Sequence, residues 1–160
     1  MVVIMRLIFT AFTAVALWAQ SVQMPPSKAA EGGFGSLLIT LKSPAGMETV
    51  ALQWKLAVPA EVIIEPEDIL AGSAAESAAK SITCAVAEKN AASGSRYGCI
   101  LAGGQKPLQD GPVAVIRYKI RERARTGVVT VRMEDILGVS AGLKKIEMAN
   151  VEGRITIGVR

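Results

Sequence analysis

Asp110-Gly111-Pro112-Val113-Ala114-Val115-Ile116-Arg117-Tyr118-Lys119-Ile120 is the stretch that decides the fold of this chain. From Val113 onward it alternates with period two. Ala114, Ile116, Tyr118 and Ile120 share one face, and Val115, Arg117 and Lys119 share the other. A strand sends successive side chains to opposite faces, so this is a β-strand with one side in a core and one in water. Gly111-Pro112 before it marks the loop that ends at the strand.

The same period recurs on either side. Thr49 to Val58 puts Val50, Leu52, Trp54 and Leu56 on one face and Ala51, Gln53, Lys55 and Ala57 on the other, and Pro59 ends it. Ser36 to Leu41 reads as an earlier strand closed by Ser43-Pro44-Ala45-Gly46, and Glu61 to Glu65 as a short apolar one. Gly127 to Met133 alternates again, a long loop follows, and Gly153 to Val159 closes the chain. Between Ile69 and Ile82 an Ala/Ser-rich segment has room for one helical turn or a loop. Eight or nine short strands with turn signals between them, and no strand–helix alternation, predict an all-β chain: an antiparallel β-sandwich or jelly roll of about nine strands.

Ahead of the strands lie two segments of different character. Arg6 followed by the apolar run Leu7 to Trp18, with Ala14-Val15-Ala16 and Ala19 as alternative cleavage points, has the layout of a secretory signal peptide over residues 1–19. The run is short for a membrane anchor, which needs about 20 apolar residues. Residues 20–35, with Pro25, Pro26, Gly32, Gly33 and Gly35, read as a flexible tether, leaving 36–160 as the sandwich domain. The expected location is therefore secreted, periplasmic or cell-surface, with no membrane span after cleavage.

The two cysteines fit an oxidising compartment. Cys84 and Cys99 flank the polar, turn-rich stretch from Glu88 to Ser95. A hairpin turning near Ala91 and Ala92 would set them opposite each other, at a Cα separation of about 4.5 Å if the pair is non-hydrogen-bonded. That separation is close to disulfide range, and the spacing predicts a Cys84–Cys99 bond.

Composition narrows the function. The chain has 160 residues, enough for one ordinary domain, and no histidine, which removes Ser-His-Asp and Cys-His catalysis and imidazole metal sites. Of 18 Lys+Arg and 14 Asp+Glu, removal of Arg6 with the leader leaves 17 against 14, a balance of +3 without a basic stripe, so no nucleic-acid partner is expected. The acidic group Glu61, Glu65, Glu67 and Asp68 could be a carboxylate pair or an oxygen-ligand site. It lacks a tight ligand spacing and reads as a solvated turn, as do Glu134 and Asp135. Gly103-Gly104-Gln105-Lys106-Pro107 lacks the phosphate-loop spacing and reads as a sandwich loop. The run Lys119, Arg121, Arg123, Arg125 at a strand end is either a patch for an acidic partner or a solvated strand end. No cofactor, metal or catalytic residue is expected.

Four stretches together suggest a family. Leu52-Gln53-Trp54-Lys55-Leu56, followed by Pro59 and Val62-Ile63-Ile64, is the first. Leu70-Ala71-Gly72-Ser73 is the second, Asp110 to Ile120 the third, and Glu152-Gly153-Arg154-Ile155-Thr156-Ile157 the last. In order and spacing, from Ser36 to Gly158, they resemble the cohesin-type domain, a β-sandwich module of cellulose-degrading assemblies that also occurs in other exported bacterial proteins. The family's Tyr-Asp-Pro is here Ala57-Val58-Pro59. The resemblance implies a non-catalytic module that binds a protein, most familiarly a dockerin. The expected partner is thus a dockerin-like or other extracytoplasmic protein. A carbohydrate-binding module of the same jelly-roll architecture is the alternative, with a polysaccharide ligand. For a protein partner, the outward polar residues Gln53, Lys55, Arg117 and Lys119 are the candidate contacts.

Overall fold

The computed structural model describes residues 20–159; the expected signal peptide lies outside the described residues. Among these residues twelve strands form two sheets: β1 (Ser21–Gln23), β2 (Ser27–Ala30), β3 (Phe34–Lys42), β4 (Thr49–Val58), β5 (Val62–Ile63), β6 (Ile69–Ala71), β7 (Ser81–Asn90), β8 (Gly94–Ala102), β9 (Gly111–Ile120), β10 (Gly127–Ser140), β11 (Lys145–Glu147) and β12 (Val151–Gly158). A 3-10 turn, Pro66–Asp68, precedes β6, and a short helix, α1 (Ser73–Ser77), follows it. One sheet has five strands in the order β1-β3-β9-β5, with β6 also on β9. The other has seven, in the order β2-β12-β10-β4-β8-β7, with β11 also on β10. This is the expected β-sandwich; short strands raise the count from about nine to twelve.

Period-two burial places the core. In β9, Ala114, Ile116, Tyr118 and Ile120 are buried while Arg117 is exposed. In β4, Leu52, Trp54, Leu56 and Val58 are buried and Gln53 and Lys55 exposed. Leu37, Ile39 and Leu41 of β3 join the β9 set. Tyr97, Cys99 and Leu101 of β8, with Val131 and Met133 of β10 and Ile155 and Ile157 of β12, join the β4 set. Two apolar inner faces packed about 10 Å apart are what alternating strands of this kind must form.

The expected tether is not a tether. Residues 21–30 are built into both sheets: β1 pairs antiparallel with β3, and β2 pairs in parallel with β12. Val22 and Met24 are buried at the sandwich edge, and Met24 fills the space over Gly153, where any Cβ would clash with its sulfur. Pro25-Pro26, lacking N–H donors, marks where the chain leaves one sheet for the other. Two pieces of three and four residues, one with a single valine and the other with two adjacent alanines, carry no legible alternation, which is why composition alone suggested a tether.

A second departure is in β10. The long loop expected after Met133 is a continuation of the strand through Ser140. Glu134-Asp135 forms a bulge there: the register on β4 shifts between Glu134 and Leu137, Asp135 has φ +50°, and its N–H donates to Oδ1 of Asn150 at 3.1 Å. A bulge inserts polar residues without ending the strand.

The cysteine hairpin forms as expected, with one refinement. Asn90 pairs with Gly94, which would leave Cys84 and Cys99 one residue out of register. A bulge between Val86 and Glu88 restores it, and Cys84 faces Cys99 at a Cα separation of 4.2 Å, with the disulfide formed. Gly94 is required at the turn: its φ is +101°, and a Cβ there would lie only 2.0 Å from the Val58 carbonyl oxygen. The Tyr97 hydroxyl, buried below β8, donates to the carbonyl of Ile64 and ties the hairpin sheet to the loop after β5.

Cys84→Ala with Cys99→Ala should still fold but lose roughly 2–4 kcal/mol, read as a lower melting temperature, because the bond joins neighbouring strands and does not define the sandwich; alkylation before and after reduction, followed by intact mass, checks the bond itself. Gly94→Ala should cost about 2 kcal/mol or more in denaturant melts, from strain at positive φ plus the clash with Val58. Burial holds the Tyr97 phenol above its ordinary range, so the fold favours the neutral form. The stability this confers is complete below the unfolded value of about 10 and is lost as pH climbs through the raised folded value. Melting temperatures measured across that alkaline window should fall more steeply for the wild type than for Tyr97→Phe.

Candidate protein-binding faces

A sandwich offers a partner two outer faces and its edges. The outer face of the seven-stranded sheet is organised in cross-strand rows. Thr83, Ile100, Gln53 and Leu137 lie in register across β7, β8, β4 and β10, and Ala85, Gly98, Lys55 and Glu134 form the next row. Gln53 and Lys55 thus sit at the centre of a floor of small and apolar residues, in which Ile100 is 54% exposed. The floor dips between β7 and β10 into a depression of about 350 Å³ lined by Gln53, Lys55, Thr83, Ala85, Gly98, Ile100 and Asp135.

Four ion pairs lie on this sheet: Lys55 with Asp135 at 2.8 Å, Arg96 with Glu134 at 3.2 Å, Arg132 with Glu152 at 3.1 Å and Lys145 with Glu147 at 2.8 Å. The Lys145 ammonium holds the Glu147 carboxyl below its usual range. Each such exposed pair is worth about 0–1 kcal/mol, so their effect is on orientation and specificity more than on stability.

Arg117 and Lys119 are elsewhere. They lie on β9, on the outer face of the five-stranded sheet, across the core from Gln53 and Lys55. The four candidate contacts are therefore two pairs on opposite surfaces, and no single flat partner reaches all of them. Arg117 approaches Asp68 at 3.4 Å, and the Lys119 ammonium lies 5.7 Å from the centroid of the Phe34 ring. The sequence reading missed Phe34, Leu38, Leu70 and Ile100 as surface residues. Once the inward set of each strand is fixed, the opposite parity marks Leu38 and Ile100 as outward, a signal the sequence did contain.

The remaining candidates are structural. Glu65 pairs with Lys89 at 2.9 Å, which raises the lysine's affinity for its proton, and Glu65 and Asp68 cap the 3-10 turn. In the basic run after β9, Arg121 donates to the carbonyl of Ala60 at 2.5 Å and the Arg123 N–H donates to Glu31. Lys80 is buried, its ammonium donating to the Gly104 carbonyl at 2.9 Å, and burial pushes its proton affinity down. It fastens the 103–110 loop beside α1. The aromatic residues Trp54, Tyr97 and Tyr118 are core residues, and Phe34 is the exposed aromatic among the described residues.

No family model and no curated relative matches the sequence. The fold does have counterparts among solved structures. A type I cohesin–dockerin complex from Clostridium thermocellum superposes with a TM-score of 0.70 at 15% identity, over 88% of this chain and 99% of that one. A non-cellulosomal cohesin from Archaeoglobus fulgidus gives 0.65 at 12%, over 88% and 91%. A type I cohesin from Pseudobacteroides cellulosolvens gives 0.63 at 17%, over 89% and 94%. The chain is thus a cohesin-type β-sandwich; at these identities the likeness establishes the fold.

Proposed function

We propose that this chain is an exported, non-catalytic module that binds another protein through the outer face of its seven-stranded sheet, with a dockerin-like module as the partner. The observation that carries the reading is the floor around Gln53 and Lys55: four strands wide, small or apolar at Thr83, Ala85, Gly98, Ile100 and Leu137, and bordered by ion pairs. Interfaces of this kind have an apolar centre and a polar rim. Solved counterparts of the fold include cohesins in complex with dockerins, which supports a protein ligand. Export is supported by the leader-like residues 1–19 and by the Cys84–Cys99 disulfide, which suits an oxidising compartment.

A polysaccharide ligand is the weaker reading. Sugar-binding sandwiches stack rings on exposed aromatic platforms, and Trp54, Tyr97 and Tyr118 are each at most 2% exposed.

The test is capture of partners from the exported proteins of the source cell, with identification by mass spectrometry, alongside titration against a panel of dockerin modules. Gln53→Arg with Lys55→Glu should weaken a specific partner by about tenfold or more, as expected when a central contact is lost. An unchanged partner set would remove this face, and strong retention of the wild type on cellulose or chitin would favour the sugar.

A further inference from the structure

The second face carries its own recognition pattern. On the outer side of the five-stranded sheet, Leu38, Val115 and Leu70 are in register across β3, β9 and β6 and form one apolar row. Leu38 is 42% and Leu70 39% exposed, although each could have been polar at no cost to the core. The next row along the strands is Ser36 and Arg117, and the one beyond is Phe34, Lys119 and Ile63, with Phe34 78% exposed. A depression of about 520 Å³ runs between Phe34, Ile63, Arg117 and Lys119.

The electrostatics of the two faces differ. Around the Gln53–Lys55 floor of the seven-stranded sheet the cations Lys55 and Arg96 are ion-paired, with Arg132 and Lys145 paired further out. The cations of that sheet without an ion-pair partner among the described residues, Lys28 and Arg154, lie on β2 and β12, away from the floor. On the five-stranded face the cations Lys42, Arg117 and Lys119 meet one carboxylate, Asp68, through a single contact at 3.4 Å, and among the described residues Lys42 and Lys119 have no ion-pair partner. A face with an apolar row beside uncompensated positive charge is complementary to an apolar ridge flanked by acid.

We infer that this face is a second docking surface, and that its partner is an amphipathic helix of another protein with acidic residues along one flank of its apolar stripe. The dimensions agree. Two strand spacings of about 4.8 Å carry Leu38–Val115–Leu70 over nearly 10 Å. Seven residues of helix at about 1.5 Å each cover nearly the same length, so side chains at i, i+3 or i+4, and i+7 meet the row. Carboxylates on the flank facing Arg117 and Lys119 complete their charge, and Phe34 closes the end. The chain then joins two proteins, one on each side of the sandwich. The inference rests on the protein-binding reading of this fold but uses a different surface from the face around Gln53 and Lys55.

The test uses the isotope-labelled chain over residues 20–160 and a synthetic helical peptide of roughly 18 residues, with leucines at helical spacing and glutamates on one flank. A matched peptide has lysine for glutamate. The glutamate peptide should give saturable amide shifts centred on Ser36, Leu38, Val115 and Arg117, weakened by added salt, and the lysine peptide should give none. Arg117→Gln with Lys119→Gln, and separately Leu38→Ser, should each weaken binding about tenfold, with unchanged far-ultraviolet circular dichroism. Lys55→Glu, on the opposite face, should leave peptide affinity unchanged whatever it does to a dockerin-like partner. Absence of saturable shifts, shifts centred on Gln53 and Ile100, or equal binding of the lysine peptide would each overturn the second surface and leave the first untouched.

Discussion

Burial of alternate residues between two sheets is the constraint on which this molecule rests. β4 and β9 illustrate it from opposite sides: Leu52, Trp54 and Leu56 face Ile116, Tyr118 and Ile120 across the core, all at or below 2% exposure. Each fully buried aliphatic or aromatic side chain of this size contributes about 1.5–3 kcal/mol of transfer free energy. A one-residue slip of either strand would turn its whole apolar set to water, so register is fixed by the core. The close packing shows at glycines: a Cβ at Gly35 would overlap the Tyr118 ring and hydroxyl, and one at Gly153 would overlap Met24.

The same constraint dictates the outer surfaces. Once parity assigns Leu52 and Trp54 inward, Gln53 and Lys55 must face out from the seven-stranded sheet. Once Ile116 and Tyr118 point inward, Arg117 and Lys119 must face out from the other sheet. The core lies between these pairs and separates them. One face surrounds an apolar floor with ion-paired cations; the other sets Lys42 and Lys119, which have no ion-pair partner among the described residues, beside an apolar row. Such differences bear on partner choice and association rate more than on fold stability.

The hairpin β7–β8 shows how local features are subordinated to register. Its turn at Ala91–Ser93 sets one pairing and the disulfide needs another, and the bulge at Ala87 reconciles them. The same bulge, with Glu88 and Lys89 beside it, breaks up the exposed edge of the seven-stranded sheet, a protection against pairing with further strands. Tyr97 and Gly94 then fix the hairpin to the neighbouring loops through one buried hydrogen bond and one close approach.

Legible in the chain before any folding was its period: the β class, the inward set of β9 and that of β4 from Leu52 onward, the pairing of Cys84 with Cys99, and the outward position of all four candidate contacts. At the start of β4 a register shift buries Thr49 in place of the expected Val50. Alternation over seven or more residues is written in the chain because each strand answers to one core. Which strands share a sheet was settled only in three dimensions, and with it the separation of Gln53 and Lys55 from Arg117 and Lys119. So too were the completion of both sheets by residues 21–30 and the run of β10 past Asp135. Those outcomes depend on contacts between segments far apart in sequence, such as β2 on β12 and Met24 over Gly153. A three-residue strand with one buried side chain has too short a period to be read, and it is stable only because the rest of the sandwich is already there to receive it.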